Sequence, residues 1–510
     1  MLEFVHESSV FNPIEWITSP ASPLMAEEIK ITEDYNAHQL RDAVARGELS
    51  ATKVCLAFMK RAALAQQLTN CATEIFFEEG LKRAKELDEM FQQTGKTVGS
   101  LHGLPISVKD CFLVQGQYST LGLVAYLDHE RDTRNSPLVN ILLEEGAVIY
   151  MKTNVPQTMM AMETDNRVFG RTLNPHNLSL TAGGSSGGEG ALVGLGGSIL
   201  GIGTDIGGSI RIPALCNGIY GFKPTVGRVP YGEQKSCSRE GTPGLLTAAG
   251  PLARTASDLT LLCKAVMASK RPWENDAEAR GGGWRDVTLE KTLRIGVWMG
   301  EQDGEYALTA PINRALKSAA KSLEDAQHKV IILSRFLPVG DTLKLAADYF
   351  QLDDQETLKH IIRQGNEEPI AALANTAPQS VTGSKKYHLS DVWDCNRRLK
   401  AYREIMRQIW KENRLDVVIC PPSTTIATPH DKFPMPAYAI IWNLLDFPAS
   451  VIPYLKTDDV KDREYGNYLE AIPPVDKMPM GIQIVGWRGD DEFLLNATTE
   501  IDRVLSTALY

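Results

Sequence analysis

The sequence predicts an α/β fold in which a central mixed, twisted β-sheet is covered on both faces by helices. From about residue 100 to about residue 265, short apolar runs typical of buried strands alternate with amphipathic segments typical of helices. The composition, with 43% hydrophobic and 23% charged residues, is that of an ordinary globular protein. A chain of 510 residues is also long enough to bury most of its apolar surface in such a core.

The chain before the sheet is predicted to be mainly helical. Residues 1–30 are rich in proline and serine and predict an extended N-terminal arm. Residues 36–65 predict two helices, which separate at Gly47, with Ser50 as the N-cap of the second. The amphipathic segment 75–91 predicts a further helix.

The sheet is predicted to begin just after residue 100. Apolar residues alternate with other residues along 104–108, which indicates a short strand that ends near Lys109. A helix at 138–143 and a buried strand at 147–151 follow.

A polar loop precedes the later half of the chain. Residues 268–290 contain three consecutive glycines and are typical of a linker or a surface loop. Beyond them, the patterns predict these elements in order: a strand at 293–298, a helix at 311–326, mainly helical sequence at 340–412, strands in DVVICPP and MGIQIVG, and a closing helix at 492–509.

The composition and charge argue against several classes of protein. The net charge of −10 argues against a nucleic-acid partner or an anionic membrane partner. The eight cysteines are dispersed without a C-x-x-C pair, which indicates reduced thiols and not a disulfide framework or a zinc site. No signal peptide is evident, and polar residues and prolines interrupt the most apolar long window, 437–455. We therefore expect a cytoplasmic protein without a transmembrane segment.

The stretch from Thr181 to Ala214 carries two serines surrounded by glycines. Ser185 lies in GGSSGG and Ser209 in DIGGSIR. Glycines allow close backbone approach and can present successive N–H groups to negative charge. The stretch lacks the Gly-Lys-Ser/Thr of a P-loop and the G-x-G-x-x-G of a dinucleotide site. A serine that faces backbone N–H donors, as in an oxyanion hole, remains as the interpretation.

A serine nucleophile needs a base, and the sequence favours lysine over histidine for that role. Ser209 is not in the G-x-S-x-G motif that pairs a serine with a histidine. A lysine can act as a base only when it is neutral, which requires a site shielded from water. Lys109, at the end of an apolar strand, is the candidate, although a single lysine is more often a solvated surface residue.

Eight sequence blocks follow one another along the chain: HGLPISVKD, KTNVPQ, GGSSGGEGA, GTDIGGSIRIPA, GFKPTVGRVP, GPLART, WNLLDFPA and PMGIQIVG. In this order they resemble the amidase signature family, and within it fatty acid amide hydrolase and the fungal acetamidase-like enzymes. The resemblance covers about residues 35–505, and chance agreement of so many ordered blocks is negligible.

The resemblance implies a hydrolase that cleaves amide bonds with a Ser-Ser-Lys triad. Lys109 would accept a proton from Ser185, which accepts one from Ser209, and Ser209 would form an acyl-enzyme that water hydrolyses. It also implies one domain. We expect residues 31–510 to form it, with a catalytic core at about 95–265 and a divergent half at about 291–510 that supplies the walls of the substrate pocket.

The resemblance assigns further roles around the two serines. The N–H groups of Ile206, Gly207, Gly208 and Ser209 would hold the oxyanion, and the bond between Gly184 and Ser185 would be a cis peptide. Gly184 would also contact the substrate.

Two interpretations are open for each of the remaining candidates, which are the neighbours of the two serines and a cluster of methionines. Asp205 and Arg211 favour a structural ion pair over direct substrate contact. Ser186 either bonds within its loop or assists the lysine. The methionines of QTMMAMETDN would line the acyl pocket or pack in the core. These are Met159, Met160 and Met162.

The resulting prediction is an amide-bond hydrolase that needs no metal or cofactor. Its substrate would be a small-molecule carboxamide or N-acyl amine, and a homodimer is possible. Three alternatives stay open: a glutamine-dependent amidotransferase subunit, a biosynthetic acyl-transfer enzyme that makes amides or esters, and a catalytically silent binding protein. His176 and Cys216, both near the serines, are expected to be a hydrogen-bonding or surface histidine and a core cysteine.

Overall fold

The computed structural model describes residues 11–268, 271–352, 356–376, 387–467 and 476–508. Parts of the predicted segments lie outside these residues: 1–10 of the arm, 269–270 of the polar loop, 353–355 and 377–386 of the helical stretch, and Leu509 of the closing helix.

The described chain contains an eleven-stranded mixed sheet in the order β1-β3-β2-β6-β8-β7-β12-β13-β11-β9-β10. Strand β2 pairs in parallel with β3 on one side and β6 on the other, and β9 pairs in parallel with β10 and β11, whereas the remaining pairs are antiparallel. Strands β4 and β5 form a separate two-stranded sheet. The strands are β1 Ala72–Ile75, β2 Pro105–Lys109, β3 Val148–Thr153, β4 Leu173–Asn174, β5 Asn177–Thr181, β6 Leu200–Asp205, β7 Tyr220–Lys223, β8 Ala248–Ala253, β9 Arg294–Val297, β10 Lys329–Ile332, β11 Val417–Cys420, β12 Ala449–Lys456 and β13 Pro479–Val485.

Helices flank this sheet, so the predicted fold class is confirmed. The principal hydrophobic core runs through both halves of the chain, from Ile31 to Leu505. The helices are α1 Pro13–Ile17, α2 Ala26–Glu33, α3 Ala37–Ala45, α4 Ala51–Thr69, α5 Phe77–Thr94, α6 Pro137–Glu144, α7 Gly187–Gly194, α8 Arg211–Asn217, α9 Ala256–Met267, α10 Ala310–Asp325, α11 Val339–Phe350, α12 Glu356–Gln364, α13 Ala371–Thr376, α14 Leu389–Asn413, α15 Ala437–Leu445, α16 Asp459–Asp462 and α17 Asp491–Thr507.

The helix boundary at Ser50 is confirmed, and tertiary contacts strengthen it. Ser50 Oγ accepts a hydrogen bond from the Lys53 N–H at 3.1 Å, as an N-cap does. The Asp88 carboxylate of α5 accepts from the N–H groups of Ala51 and Thr52 at 2.7 and 2.9 Å. These bonds satisfy three of the N–H groups that the first turn of α4 leaves without an intrahelical partner.

Two predictions in the first hundred residues are wrong. The described part of the arm is not extended, because residues 13–17 and 26–33 are helical. Residue 75 does not begin the next helix, because Ala72–Ile75 is a strand that pairs antiparallel with β3. This four-residue strand lies at the edge of the sheet and Ile75 is 47% exposed, so its sequence lacks the alternation that indicates a strand.

The later elements agree with the patterns. The strand predicted at 293–298 is β9, the helix at 311–326 is α10, and the described part of 340–412 is mainly helical. The apolar window 437–455 forms α15 and most of β12. Among the described helices, none combines the length and the apolar character that crossing a bilayer requires. All eight cysteines are buried, and none of them forms a disulfide bond within the described chain.

The sheet brings the predicted site residues to one edge. Strands β2 and β6 are parallel, with Val108 opposite Ile202, so their carboxyl ends lie together. Lys109 ends β2, and Ser209 lies four residues beyond the end of β6. The carboxyl edge of a parallel sheet is where ligands bind in open α/β folds.

Candidate active site

Lys109 lies at the end of β2 and contacts two hydroxyl groups. Its Nζ donates to Ser185 Oγ at 2.7 Å and to Thr204 Oγ1 at 2.8 Å. The residue is 0% exposed, so the alternative of a solvated surface lysine is wrong. Burial lowers the pKa of the Lys109 amine from 10.5 to about 8, and the nearby Cys111 thiol and Asp205 carboxylate oppose that shift only in part.

Ser185 lies in a turn, residues 183–187, that packs tightly against a neighbouring segment. The bond between Gly184 and Ser185 is a cis peptide, as the resemblance implied. A Cβ atom at Gly184 would collide with the carbonyl oxygen of Ala161. Thr164 Oγ1 donates to the Gly183 carbonyl oxygen at 2.9 Å. This Ser185 turn is therefore held by a close backbone contact with Ala161 and by the Thr164 hydroxyl.

Ser209 lies in a loop, residues 205–211, beside the Ser185 turn. Its carbonyl oxygen accepts the Ser186 N–H at 3.1 Å. Both serines are 2% exposed. Among the described residues, no hydrogen bond joins the Ser185 and Ser209 hydroxyls. The structure thus brings Lys109 and Ser185 into direct contact and joins the Ser209 loop to the turn through the backbone.

Thr204 is a site residue that the sequence patterns do not single out. Besides accepting from Lys109, it exchanges hydrogen bonds with Ser186: its N–H donates to Ser186 Oγ at 3.3 Å, and its carbonyl oxygen accepts from that hydroxyl at 3.4 Å. Ser186 therefore bonds within the loop, which was one of its two readings. The available signal for Thr204 was the parallel register of β2 and β6, which brings the end of β6 beside Lys109.

The four predicted oxyanion donors are not equivalent. The Gly208 N–H donates to Asp205 Oδ1 at 2.8 Å. The N–H groups of Ile206, Gly207 and Ser209 have no acceptor within the part of the chain that the structure describes. Gly208 has φ +123, and a Cβ there would lie 2.9 Å from that of Ala439, so only glycine fits.

Asp205 and Arg211 form the ion pair that the sequence favoured. Arg211 Nη2 lies 2.9 Å from Asp205 Oδ1, Nε lies 3.0 Å from Oδ2, and both side chains are 0% exposed. Burial raises the pKa of the Asp205 carboxyl, but the Arg211 charge and its hydrogen bonds outweigh burial and hold that pKa well below its usual range. The carboxylate also accepts the N–H groups of Gly208 and Ile210. The pair therefore sets the shape of the Ser209 loop.

Two amide side chains from the later half complete this network. Asn443 of α15 donates to Asp205 Oδ1 at 2.9 Å and accepts from Arg211 Nη2 at 2.5 Å. Gln483 of β13 accepts from Arg211 Nη1 at 2.7 Å. Both are buried. They lie in the WNLLDFPA and PMGIQIVG blocks, so the blocks were recognised but these two residues were not.

The methionine cluster is adjacent to the Ser185 turn. Met162 is 7% exposed and packs in the principal core, whereas Met159 and Met160 are half-buried. Thr158 and Met159 have φ of +70 and +59, which is uncommon for residues other than glycine. Core packing therefore describes Met162 and in part Met159, which packs against the same core, whereas Met160 is half-buried outside it.

The remaining two expectations near the serines agree with the structure. His176 is half-buried, and its Nε2 bonds with the Asn217 carbonyl oxygen at 3.0 Å. Cys216 is 0% exposed.

Comparisons with known proteins identify the family of this chain. The family model described as Amidase matches residues 53–495. A protein named amidase from Gibberella moniliformis is 44% identical over 95% of this chain and 90% of its own length. The chain belongs to the amidase signature family. This amidase is therefore a hydrolase of carbon–nitrogen amide bonds.

Other relatives show how this amidase compares in function and fold. An acetamidase from Emericella nidulans is 34% identical over 95% of this chain and 92% of its own length. A solved structure of fatty acid amide hydrolase superposes with a TM-score of 0.91 at 32% identity, covering 98% of this chain and 90% of that one. The structure of 6-aminohexanoate cyclic dimer hydrolase, with a TM-score of 0.75 at 21% identity, shares the fold of the amidase.

Proposed function

We propose that this amidase hydrolyses a small-molecule carboxamide or N-acyl amine through an acyl-enzyme on Ser209, with Ser185 and Lys109 as its proton relay. One observation carries the proposal: the buried Lys109 amine lies 2.7 Å from Ser185 Oγ, at the edge of the sheet where the Ser209 loop begins. A neutral amine in that position can accept a proton from a hydroxyl.

The reaction follows from these positions. Neutral Lys109 accepts the Ser185 proton while Ser185 accepts that of Ser209, and Ser209 Oγ bonds to the amide carbonyl carbon. The tetrahedral intermediate expels the amine as the relay returns the proton to the leaving nitrogen. Water then attacks the ester, the relay again moves the proton, and the carboxylic acid leaves. The two serine hydroxyls must meet when substrate binds for the first step to occur.

The negative oxygen of the intermediate would be held by the N–H groups of Ile206, Gly207 and Ser209. Gly208 would contribute only if its bond to Asp205 were exchanged. Removing one such donor costs on the order of 3 kcal/mol in a well-studied protease. Preorganised donors of this kind stabilise charge that develops only in the transition state.

The acyl group of the substrate would extend from the Ser185 turn toward Met159 and Met160. Both residues are half-buried and precede the segment 161–163 that contacts Gly184, and the thioether side chain adapts to differently shaped apolar groups. The named relatives differ in acyl length, from an acetamidase to a fatty acid amide hydrolase. A panel from acetamide through aryl amides to long-chain N-acyl amines would find the range that this enzyme accepts.

Ser209→Ala tests the proposal directly. We expect loss of amide hydrolysis and of covalent labelling by a fluorophosphonate, with an unchanged melting temperature. Ser179→Ala, at an exposed serine of β5, is the matched control and should retain both. Retained hydrolysis in Ser209→Ala would contradict the proposal. Hydroxylamine added to the wild type would divert an acyl-enzyme to a hydroxamate and thus reveal acyl transfer to other nucleophiles.

A further inference from the structure

His430 joins two segments that meet behind the Ser185 turn. Its Nδ1 lies 2.9 Å from Glu163 Oε1, and its Nε2 lies 3.0 Å from the Leu178 carbonyl oxygen. A carbonyl oxygen and an ionised carboxylate only accept hydrogen bonds, so both ring nitrogens must carry a hydrogen for both bonds to form. With Glu163 ionised, this is the geometry of an imidazolium.

The buried Glu163 carboxylate has few other partners. It is 1% exposed, its Oε2 accepts the Asp431 N–H at 3.0 Å, and Arg171 Nε lies 4.0 Å from Oε1. Arg171 is bound more closely to Asp165 and Asp431, at 3.0 and 2.8 Å. His430 is thus the nearest positive group to Glu163 among the described ion pairs.

The charges around His430 act in opposite directions. Burial lowers the pKa of the imidazole and the Arg171 charge lowers it further, but the hydrogen bond and charge of Glu163 outweigh them, so the pKa is raised above 6.5. Strand β5, which supplies the Leu178 carbonyl, has no titratable side chain. The Cys216 thiol lies near Glu163, and burial first and that carboxylate second raise its pKa, so it stays neutral.

Glu163 belongs to the segment that holds the Ser185 turn. A Cβ at Gly184 would lie 3.0 Å from the Glu163 nitrogen. The next residue, Thr164, donates to the Gly183 carbonyl oxygen at 2.9 Å and accepts the Gly187 N–H at 3.1 Å. Segment 161–164 therefore contacts both ends of the turn.

We propose that His430 is a positioning residue: its imidazolium holds Glu163, and through it the Ser185 turn, in the arrangement that the reaction needs. This inference rests on the proposed role of Ser185. Above its pKa, His430 would lose the hydrogen of one of its two bonds, and buried Glu163 would keep only the more distant Arg171 as a cation. Because the pKa is raised, the contribution is complete below about pH 6.5, the ordinary histidine value, and is lost as pH rises through the raised value.

The test compares kcat and KM of wild type and His430→Gln across pH. At the acidic end we expect kcat to be about tenfold lower in the variant, with KM little changed. The ratio should fall toward one at alkaline pH, where wild-type His430 is also neutral. Lys109 titrates equally in both proteins and cancels from the ratio. His176→Gln is the matched control, because His176 has a carbonyl partner and no carboxylate, so its ratio to wild type should not vary with pH.

Two further measurements distinguish this proposal from a general loss of structure. Glu163→Gln should have the same effect, and the double variant should be no worse than either single one. In wild type labelled at histidine ring carbons, the resonance absent from His430→Gln should titrate with a midpoint above 6.5; a midpoint at or below that value would overturn the proposal.

The outcomes separate the two proposals. Wild type without Ser209-dependent amide hydrolysis would contradict the proposed function, while the histidine titration would still test the charge on His430. Hydrolysis that depends on Ser209, combined with a pH-independent ratio for His430→Gln, would overturn the positioning role alone.

Discussion

The Ser209 loop and the Ser185 turn lie side by side but are held in place by different interactions. The loop is fixed by a buried ion pair, Asp205 with Arg211, and by buried amides that bond to both members. The turn is fixed by backbone contacts and hydroxyls, and the nearest charges are Lys109 and, one segment away, the Glu163–His430 pair.

Because of this difference, the charges of the Ser209 loop do not change with pH, whereas the charges beside the Ser185 turn do. The pKa of Asp205 is far below its usual range and arginine is always charged, so the Ser209 loop keeps its charges at any ordinary pH. By contrast, burial lowers the pKa of Lys109 to about 8, and the hydrogen bond and charge of Glu163 raise the pKa of His430 above its ordinary value. In the proposed mechanism, the N–H groups that would hold the oxyanion are thus preorganised, whereas the charge of the groups that would move or position the proton changes with pH.

Among the groups whose charge changes with pH, Lys109 should produce the largest effect when it is replaced. Lys109→Ala should lower kcat by about 10⁴-fold, the upper range for a lost general base, because no other described side chain can accept the Ser185 proton. Steady-state hydrolysis of an aryl amide measures it.

Lys223→Met is the matched control for burial of a lysine. Lys223 is also 0% exposed, and burial lowers its pKa to about 8, but its Nζ donates to the Pro224 carbonyl oxygen and to no serine. We expect a changed melting temperature with fluorophosphonate labelling retained. Equal loss of activity in both variants would mean that burial of a lysine, and not contact with Ser185, is what matters.

Breaking the ion pair between Asp205 and Arg211 tests the Ser209 loop, whose charges do not change with pH. Arg211→Met leaves the buried Asp205 carboxylate without its cation, which should lower the free energy of unfolding by about 3–5 kcal/mol. Urea unfolding measures it. Adding Asp205→Asn should recover part of the loss, because the uncompensated charge is then gone. If Asp205→Asn lowered the free energy of unfolding of Arg211→Met by as much as it lowers that of wild type, the pairing would be contradicted.

The sequence could single out the three proposed reacting residues because they belong to distinctive local motifs. Ser185 and Ser209 lie among glycines, and Lys109 ends a strand with clear alternation. The alternation of strand-like and helix-like segments likewise made the fold class predictable. The helical arm and β1 were not, because a short edge strand and two short helices carry little periodicity.

The supporting residues were not predictable because they arrive from distant parts of the chain. Asn443 and Gln483 reach Arg211 across more than 230 residues, and His430 reaches Glu163 across 267. Asn443 and Gln483 lie in recognised blocks, but nothing in those blocks indicates which residue reaches the site, and His430 lies in none of them. The bond from Gly208 to Asp205 was also hidden, because the orientation of one N–H group depends on the folded loop.

Asn443 should have an intermediate effect, because it bonds to both members of the ion pair without supplying charge. Asn443→Leu keeps the volume but removes those bonds, which should cost about 2 kcal/mol of stability. The pH profile of kcat should keep its midpoint, since the pKa of the Asp205 carboxyl is far below it. A midpoint displaced from that of wild type would show that the loop and the turn are not independent.

Thr204→Val should have the smallest effect, and a characteristic one. Wild-type kcat should rise with a midpoint of about 8, because the neutral Lys109 amine is the working base. Valine matches threonine in shape but removes the hydroxyl that accepts from Lys109 at 2.8 Å. The charged ammonium loses more from this than the neutral amine does, so the pKa of Lys109 should fall and the midpoint should move to lower pH by about half a unit.

The matched substitution Thr225→Val, at a buried threonine beyond β7 that does not contact Lys109, should leave the midpoint unchanged. A midpoint that rises in Thr204→Val would mean that Thr204 donates to the neutral amine, and would contradict the hydrogen-bond direction on which this prediction depends.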